Sequence, residues 1–194
     1  MISGVVLAAG TSSRLGRPKQ LLELEGRPLL QHVVDAAAAS GLDEVVVVLG
    51  HESERIASAL TLPPKTRLVV NRDYQDGQST SLRTGLSSID ARADAAAILL
   101  GDQPRLTPAA IRKVVDAFRA SEAPIMRALW HGTPGHPVVL ARSEWESIGK
   151  LRGDKGARDL VAASDRVDVI EMSEPPVEDV DTWEQYETLR GQGL

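Results

Sequence analysis

The chain contains no cysteine. Disulfides, thiol catalysis, zinc–thiolate sites and iron–sulfur clusters are excluded with it. Aromatic residues are scarce, with three Trp, two Tyr and one Phe in 194 residues, too few to stack the bases of a nucleic-acid strand. Positive charge is in deficit. The 22 basic and 27 acidic side chains give a net charge of −5, which does not suit a polyphosphate backbone as partner. The longest apolar runs, Val45–Leu49 and Ala95–Leu100, cannot span a bilayer, and Met1-Ile2-Ser3-Gly4 lacks the basic start of a signal peptide. No nucleic acid and no membrane are expected as partners, and the expected location is cytoplasmic.

What is present is a globular composition, 42% apolar and 25% charged, long enough for a single domain over residues 1–194 with a sizeable core. Short apolar runs at Gly4–Ala9, Glu44–Leu49, Leu68–Asn71 and Ala95–Leu100 predict strands buried on both faces. Amphipathic stretches at Pro28–Ser40, Ser53–Leu60, Ser79–Ile89 and Pro108–Ala120 predict helices between them. In the first, Leu29, Leu30, Val33, Val34 and Ala37 share one face, and Ser40-Gly41 supplies a stop. Thr107 before Pro108 predicts an N-cap. Strand–helix alternation implies right-handed βαβ units, hence an α/β fold with a mostly parallel sheet between two helical layers. After Ala123 the rhythm breaks. Ile125–Trp130, a turn at His131–Gly135 and Pro137–Ala141 predict a hairpin-like excursion. Helices at Ser143–Lys150 and Gly156–Ala163, a strand at Val167–Ile170, a loop at Glu174–Asp179 and a closing helix at Thr182–Gln192 follow.

The first strand empties into Leu7-Ala8-Ala9-Gly10-Thr11-Ser12-Ser13-Arg14-Leu15-Gly16-Arg17-Pro18-Lys19. Ligands of open α/β sheets bind at the carboxyl ends of strands, where small residues let them approach the backbone. This loop matches neither GxxxxGK(S/T) nor GxGxxG, so it supports neither a P-loop NTPase nor a dinucleotide dehydrogenase. It carries small residues and the cations Arg14, Arg17 and Lys19. A second block, from Asn71 to Gly85, follows the third strand and opens a helix that Ser79 could cap. A third, Leu99-Leu100-Gly101-Asp102-Gln103-Pro104, puts an acid at the end of the fourth strand. Such an acid suits Mg²⁺, which takes one or two carboxylates plus substrate phosphates, though Asp before a turn is also common as a turn former. Near the C-terminus stands Asp179-Val180-Asp181-Thr182. Gly135-His136-Pro137 and Gly153-Asp154-Lys155-Gly156-Ala157-Arg158 add an imidazole and further cations. His32 and His51 look like ordinary structural histidines.

In this order the blocks resemble the nucleotidyltransferases related to molybdenum-cofactor cytidylyltransferase and its guanylyltransferase cousin, over Leu7 to Thr182. The resemblance implies a three-layer α/β/α, Rossmann-like nucleotidyltransferase fold. It also implies Mg²⁺-dependent transfer of CMP from CTP to molybdopterin, with release of pyrophosphate and a molybdoenzyme as possible client. Residue by residue it implies that Leu7, Ala8, Ala9, Gly10, Ser12, Gly77, Gln78 and Ser81 bind the nucleotide. Arg14 would grip the β- and γ-phosphates and Lys19 neutralise the α-phosphate, with Arg17 left between a phosphate contact and a surface cation. Asp102 and Asp181 would hold the metal, and His136, Lys155 and Arg158 would meet the acceptor. The family usually has proline where this chain has Trp183, which leaves Asp179 as an alternative to Asp181. The LAAG start resembles the cytidylyl branch, the guanylyl branch usually carrying LAGG. Guanylyl transfer, transfer to a sugar or alcohol phosphate, and a non-catalytic carrier of the cofactor remain the alternatives.

Overall fold

The computed structural model describes residues 1–191, so Gln192 of the expected closing helix lies outside the described residues. In chain order the elements are β1 (Ile2–Ala8), β2 (Glu23–Leu24), β3 (Arg27–Pro28), α1 (Leu29–Ala39), β4 (Glu44–Leu49), α2 (Ser53–Ser58), β5 (Thr66–Val70) and α3 (Gln78–Ser88). They continue with β6 (Ala95–Leu100), α4 (Pro108–Ala120), β7 (Ile125–Trp130), β8 (Thr133–Ala141), α5 (Trp145–Gly149), α6 (Ala157–Ala163), β9 (Val167–Met172) and α7 (Trp183–Gly191). No helix of the described residues is long and apolar enough to cross a membrane.

Seven strands form one sheet in the order β5-β4-β1-β6-β8-β7-β9. All pairings are parallel except those of β8, which runs antiparallel to both β6 and β7. Successive side chains of β1 serve opposite faces, as strand geometry requires. Val6 and Ala8 pack with Leu30, Val33 and Val34 of α1, Ile56 of α2 and Ile111 and Val114 of α4. Val5 and Leu7 pack with Leu82 and Leu86 of α3, Ile148 of α5 and Leu160 and Val161 of α6. This is the expected three-layer sandwich. The Thr107 cap is present too, its hydroxyl accepting from the Ala110 N–H at 3.1 Å.

Two features differ from the expectation. The hairpin expected after Ala123 is present, but it belongs to the main sheet rather than departing from it, since β8 inserts beside β6. A small β2–β3 hairpin also forms where the helical pattern begins. It seeds a third apolar cluster, in which Leu15, Leu22, Leu24 and Leu29 meet Val180, Tyr186 and Leu189.

The topology locates the site. From β1 the chain steps outward to β4 and β5 with α1 and α2 on one face. It then crosses by α3 on the other face to β6, on the far side of β1. The strand order therefore reverses at β1, and such switch points open a crevice at the strands' carboxyl ends.

Candidate active site

At that switch point lies a cleft of about 710 Å³. Its floor is the end of β1 with the loop beyond it, Leu7 to Thr11, and the end of β6, Leu100 to Asp102. Gly77, Gln78 and Ser81 line one wall, and His136 and Arg158 line another. Glycine at 101 is a packing requirement: a Cβ there would come within 2.8 Å of the Ala8 methyl, and its N–H donates to the Leu7 carbonyl at 2.9 Å.

Lys19 enters the cleft from the far end of the loop. Its ammonium lies 2.5 Å from Asp102 Oδ2 and 2.6 Å from Asp181 Oδ1. Burial works to lower the Lys19 pKa, but Asp102 and then Asp181 outweigh it and hold the ammonium above its ordinary range. The other oxygen of Asp102, Oδ1, is buried with no hydrogen-bond partner. An orphaned carboxylate oxygen at a strand end fits a divalent cation. Among the described residues no three His, Asp or Glu side chains converge as a complete metal cage. The donor set thus suits a cation completed by substrate phosphates rather than one caged by protein.

The C-terminal segment is tied to this centre through the backbone. The Val180 N–H donates to the Asp102 carbonyl at 3.1 Å, and Gln103 Nε2 donates to Asp179 Oδ1 at 2.7 Å. Burial, then the neighbouring Asp102, pushes the Asp179 pKa up. Asp181 is held in place by the helix that follows it. Gln185 Oε1 accepts from the Asp181 and Thr182 N–H groups at 2.8 and 2.9 Å, while the Gln185 N–H donates to Thr182 Oγ1 at 3.2 Å. This reciprocal cap starts α7 without the family's proline. Trp183 instead stacks under Arg17, whose guanidinium carbon is 5.1 Å from the ring centroid. Arg17 is thus engaged with the C-terminal segment, not free in solvent.

The remaining expected residues fall into three groups. Ala8, Ala9, Gly10, Lys19, Gly77, Gln78, Ser81, Asp102, His136 and Arg158 share the cleft with Leu7. Ser12 lies just behind it, its hydroxyl accepting from the Lys19 N–H at 3.0 Å. Arg14 and Lys155 are exposed and outside the cleft lining. The wall blocks are welded together, for Gly77 sits at φ 100° and a Cβ on it would overlap the Gly153 carbonyl. The Ser79 N–H donates to that same carbonyl at 3.1 Å. His136 is flanked by charge of one sign: burial, then Arg127 and Arg158, lowers its pKa to about 4 and keeps the ring neutral. Among the described residues Arg127 and Arg158 have no carboxylate partner. His32 is structural as expected, its Nε2 paired with the Leu24 carbonyl at 2.9 Å.

Sequence reasoning missed Gln20, which lines the cleft, and Arg127. The only signal for Gln20 was a polar residue beside Lys19. For Arg127 there was none, since charge on a strand ordinarily faces solvent.

Residues 4–167 match the model of the MobA-like NTP transferase domain. The chain belongs to that family and is a nucleotidyltransferase domain. It is 32% identical to nicotine blue oxidoreductase of Paenarthrobacter nicotinovorans, over 97% of this chain and 96% of that one. It is 36% identical to the bifunctional protein GlmU of Sorangium cellulosum over 83% of this chain, spanning only 35% of that longer protein. The crystal structure of Rv0371c from Mycobacterium tuberculosis H37Rv superposes with a TM-score of 0.88 at 34% identity, covering 98% of this chain and 97% of that one. Rv0371c also crystallised as a complex with manganese.

Proposed function

We propose that this chain is a cytoplasmic, single-domain enzyme that transfers CMP from CTP to a phosphorylated acceptor of the molybdopterin type, releasing pyrophosphate. The observation that carries the reading is the Lys19 ammonium set between Asp102 and Asp181 beside an orphaned carboxylate oxygen. A charge array of this kind, at the mouth of a small-residue loop, is built for a triphosphate. The manganese complex of Rv0371c supports a divalent cation here, taken as Mg²⁺, with Asp102 and Asp181 as its protein ligands. When bound, it would supply charge neutralisation on the phosphates.

The acceptor phosphate oxygen attacks the α-phosphorus, a new P–O bond forms, and the bond to the β-phosphate breaks as pyrophosphate leaves. No residue becomes covalently attached. Lys19 neutralises charge at the α-phosphate, and the exposed Arg14 closes on the β- and γ-phosphates. Leu7, Ala8, Ala9, Gly10, Ser12, Gly77, Gln78 and Ser81 form the nucleotide side. His136 and Arg158, with Lys155 at the rim, form the acceptor side, where paired guanidiniums favour an anionic acceptor over a neutral alcohol. The preference for CTP rests on Ala9. Its methyl is turned against Gly50, so any crowding of a purine runs through the position of the loop backbone.

The test is a matrix of the four NTPs with molybdopterin or its molybdenum form, following pyrophosphate and dinucleotide product. Turnover with GTP equal to that with CTP removes the base assignment. No pyrophosphate with any NTP, together with redox turnover of added nicotine blue, would place the chain with its Paenarthrobacter relative in activity.

A further inference from the structure

Gln20 is 2% exposed, and its carboxamide folds back under the glycine loop. Nε2 donates to the Ala8 carbonyl at 2.8 Å and to the Gly10 carbonyl at 3.2 Å. The Ala9 carbonyl is taken by the His51 N–H at 3.3 Å. Peptide units are planar and trans, so each N–H points opposite to the carbonyl of the residue before it. Fixing the Ala8 and Gly10 carbonyls on Gln20 therefore turns the Ala9 and Thr11 N–H groups to the other side. Among the described residues none of the Ala9, Gly10 and Thr11 N–H groups donates to a protein acceptor. These three residues line the cleft.

We propose that Gln20 is a positioning residue for the nucleotide: by holding the carbonyls of Ala8 and Gly10 it keeps the loop's N–H groups presented to the triphosphate. The inference rests on the cleft being a nucleotide site. Its chemistry is a division of labour. A loop of successive small residues has no side chains to fix its peptide planes, and unspent N–H donors attract phosphate only when they point together. A buried carboxamide with two donor hydrogens is the group that can hold two carbonyls at once. Gln20 follows directly on Lys19, so the same short 3-10 turn (Lys19–Leu21) places the cation and sets the amides.

The test compares wild type with Gln20→Met, which keeps length but has no donor, and Gln20→Glu, which sets a carboxylate against the two carbonyls. Calorimetry measures binding of a non-hydrolysable CTP analogue and, separately, of Mn²⁺ alone, with circular dichroism as the folding control. Steady-state pyrophosphate release supplies KM and kcat. The expected result is a roughly tenfold rise in KM and in analogue Kd, larger for Gln20→Glu, with kcat and Mn²⁺ affinity within about threefold of wild type. Unchanged analogue affinity in both variants overturns the proposal. So does a loss of Mn²⁺ affinity in proportion to analogue affinity, since Gln20 would then merely hold the fold. Failure of the wild type to bind any NTP analogue sinks the nucleotide reading itself, a distinct outcome.

Discussion

Replacing Lys19 by methionine keeps the length of the side chain and removes its charge. Asp102 and Asp181, which lie 2.5 and 2.6 Å from the ammonium, would then share a site with no cation between them. Breaking a fully buried ion pair costs about 3–5 kcal/mol. The Asp181 side chain, however, is 46% exposed against 18% for Asp102, and water and salt screen the exposed partner. A loss of about 2 kcal/mol follows, or a fall of roughly 4–8 °C in melting temperature for a chain of this length. Divalent metal should act in the opposite direction. In the wild type a cation competes with the lysine, whereas in Lys19→Met it enters uncontested, so Mn²⁺ should stabilise the variant more than the wild type. The raised Lys19 pKa makes its stabilisation fully present below the ordinary value of 10.5 and lost only as pH rises through the elevated one. The difference between the two proteins should therefore stay flat across neutral pH. Turnover should fall by about 10²–10³ as the α-phosphate loses its cation. Calorimetric melting in chelator and in Mn²⁺ decides the matter. Equal melting temperatures in chelator, or a metal shift no larger in the variant, would refute the exchange of lysine for metal.

Asp102→Asn should lower kcat by about a hundredfold or more with unchanged circular dichroism, and Asp181→Asn should follow it. Near-normal turnover in Asp181→Asn with a crippled Asp179→Asn would hand the second carboxylate role to Asp179. Gly77→Ala should destabilise by at least about 2 kcal/mol in urea unfolding, because only glycine adopts that backbone and the Gly153 carbonyl occupies the space of a methyl. His136 has a folded pKa below its unfolded one, so acid favours the unfolded chain. Stability should fall as pH drops from 6.5 towards about 4, and His136→Gln should flatten that slope in pH-dependent unfolding.

Apolar period made most of the sheet legible. Glu44–Leu49 and Ala95–Leu100 are strands to the residue, because a strand buried on both faces reads as an uninterrupted apolar run. Helix ends slipped by a residue or two where caps act through the backbone: α1 starts after Pro28 with no side-chain cap. The insertion of β8 was not legible, since antiparallel pairing with β6 is a long-range choice that leaves no local mark. In the site, motif order placed Asp102, Lys19 and the glycine loop in one cleft. It could not show that Lys19 bridges two carboxylates, or that Gln20 spends its donors on the loop, because both depend on where side chains turn after folding. Arg17 is the instructive case. By sequence alone it stood between a phosphate contact and a surface cation, and the departure at Trp183 supplies the ring that engages it.

Lys19 and Asp181 stand 162 positions apart, so something other than their own attraction must bring them together. An ion pair this open to water contributes at most about 1 kcal/mol towards closing such a loop. The third apolar cluster is the stronger agent. Leu15, Leu22, Leu24 and Leu29 on one side of the site meet Val180, Tyr186 and Leu189 on the other, all buried, and the Tyr186 hydroxyl donates to the Glu23 carbonyl at 2.7 Å. Each such apolar side chain contributes about 1.5–3 kcal/mol on burial, so seven of them outweigh the charges by a wide margin. Apolar packing therefore sets the separation of lysine and carboxylates, and the charges inherit it. In the proposed reaction that order of causes would let the ammonium leave Asp102 and Asp181 without dissolving the site, because the segments that carry Lys19 and Asp181 are fixed by apolar contacts rather than by the charges.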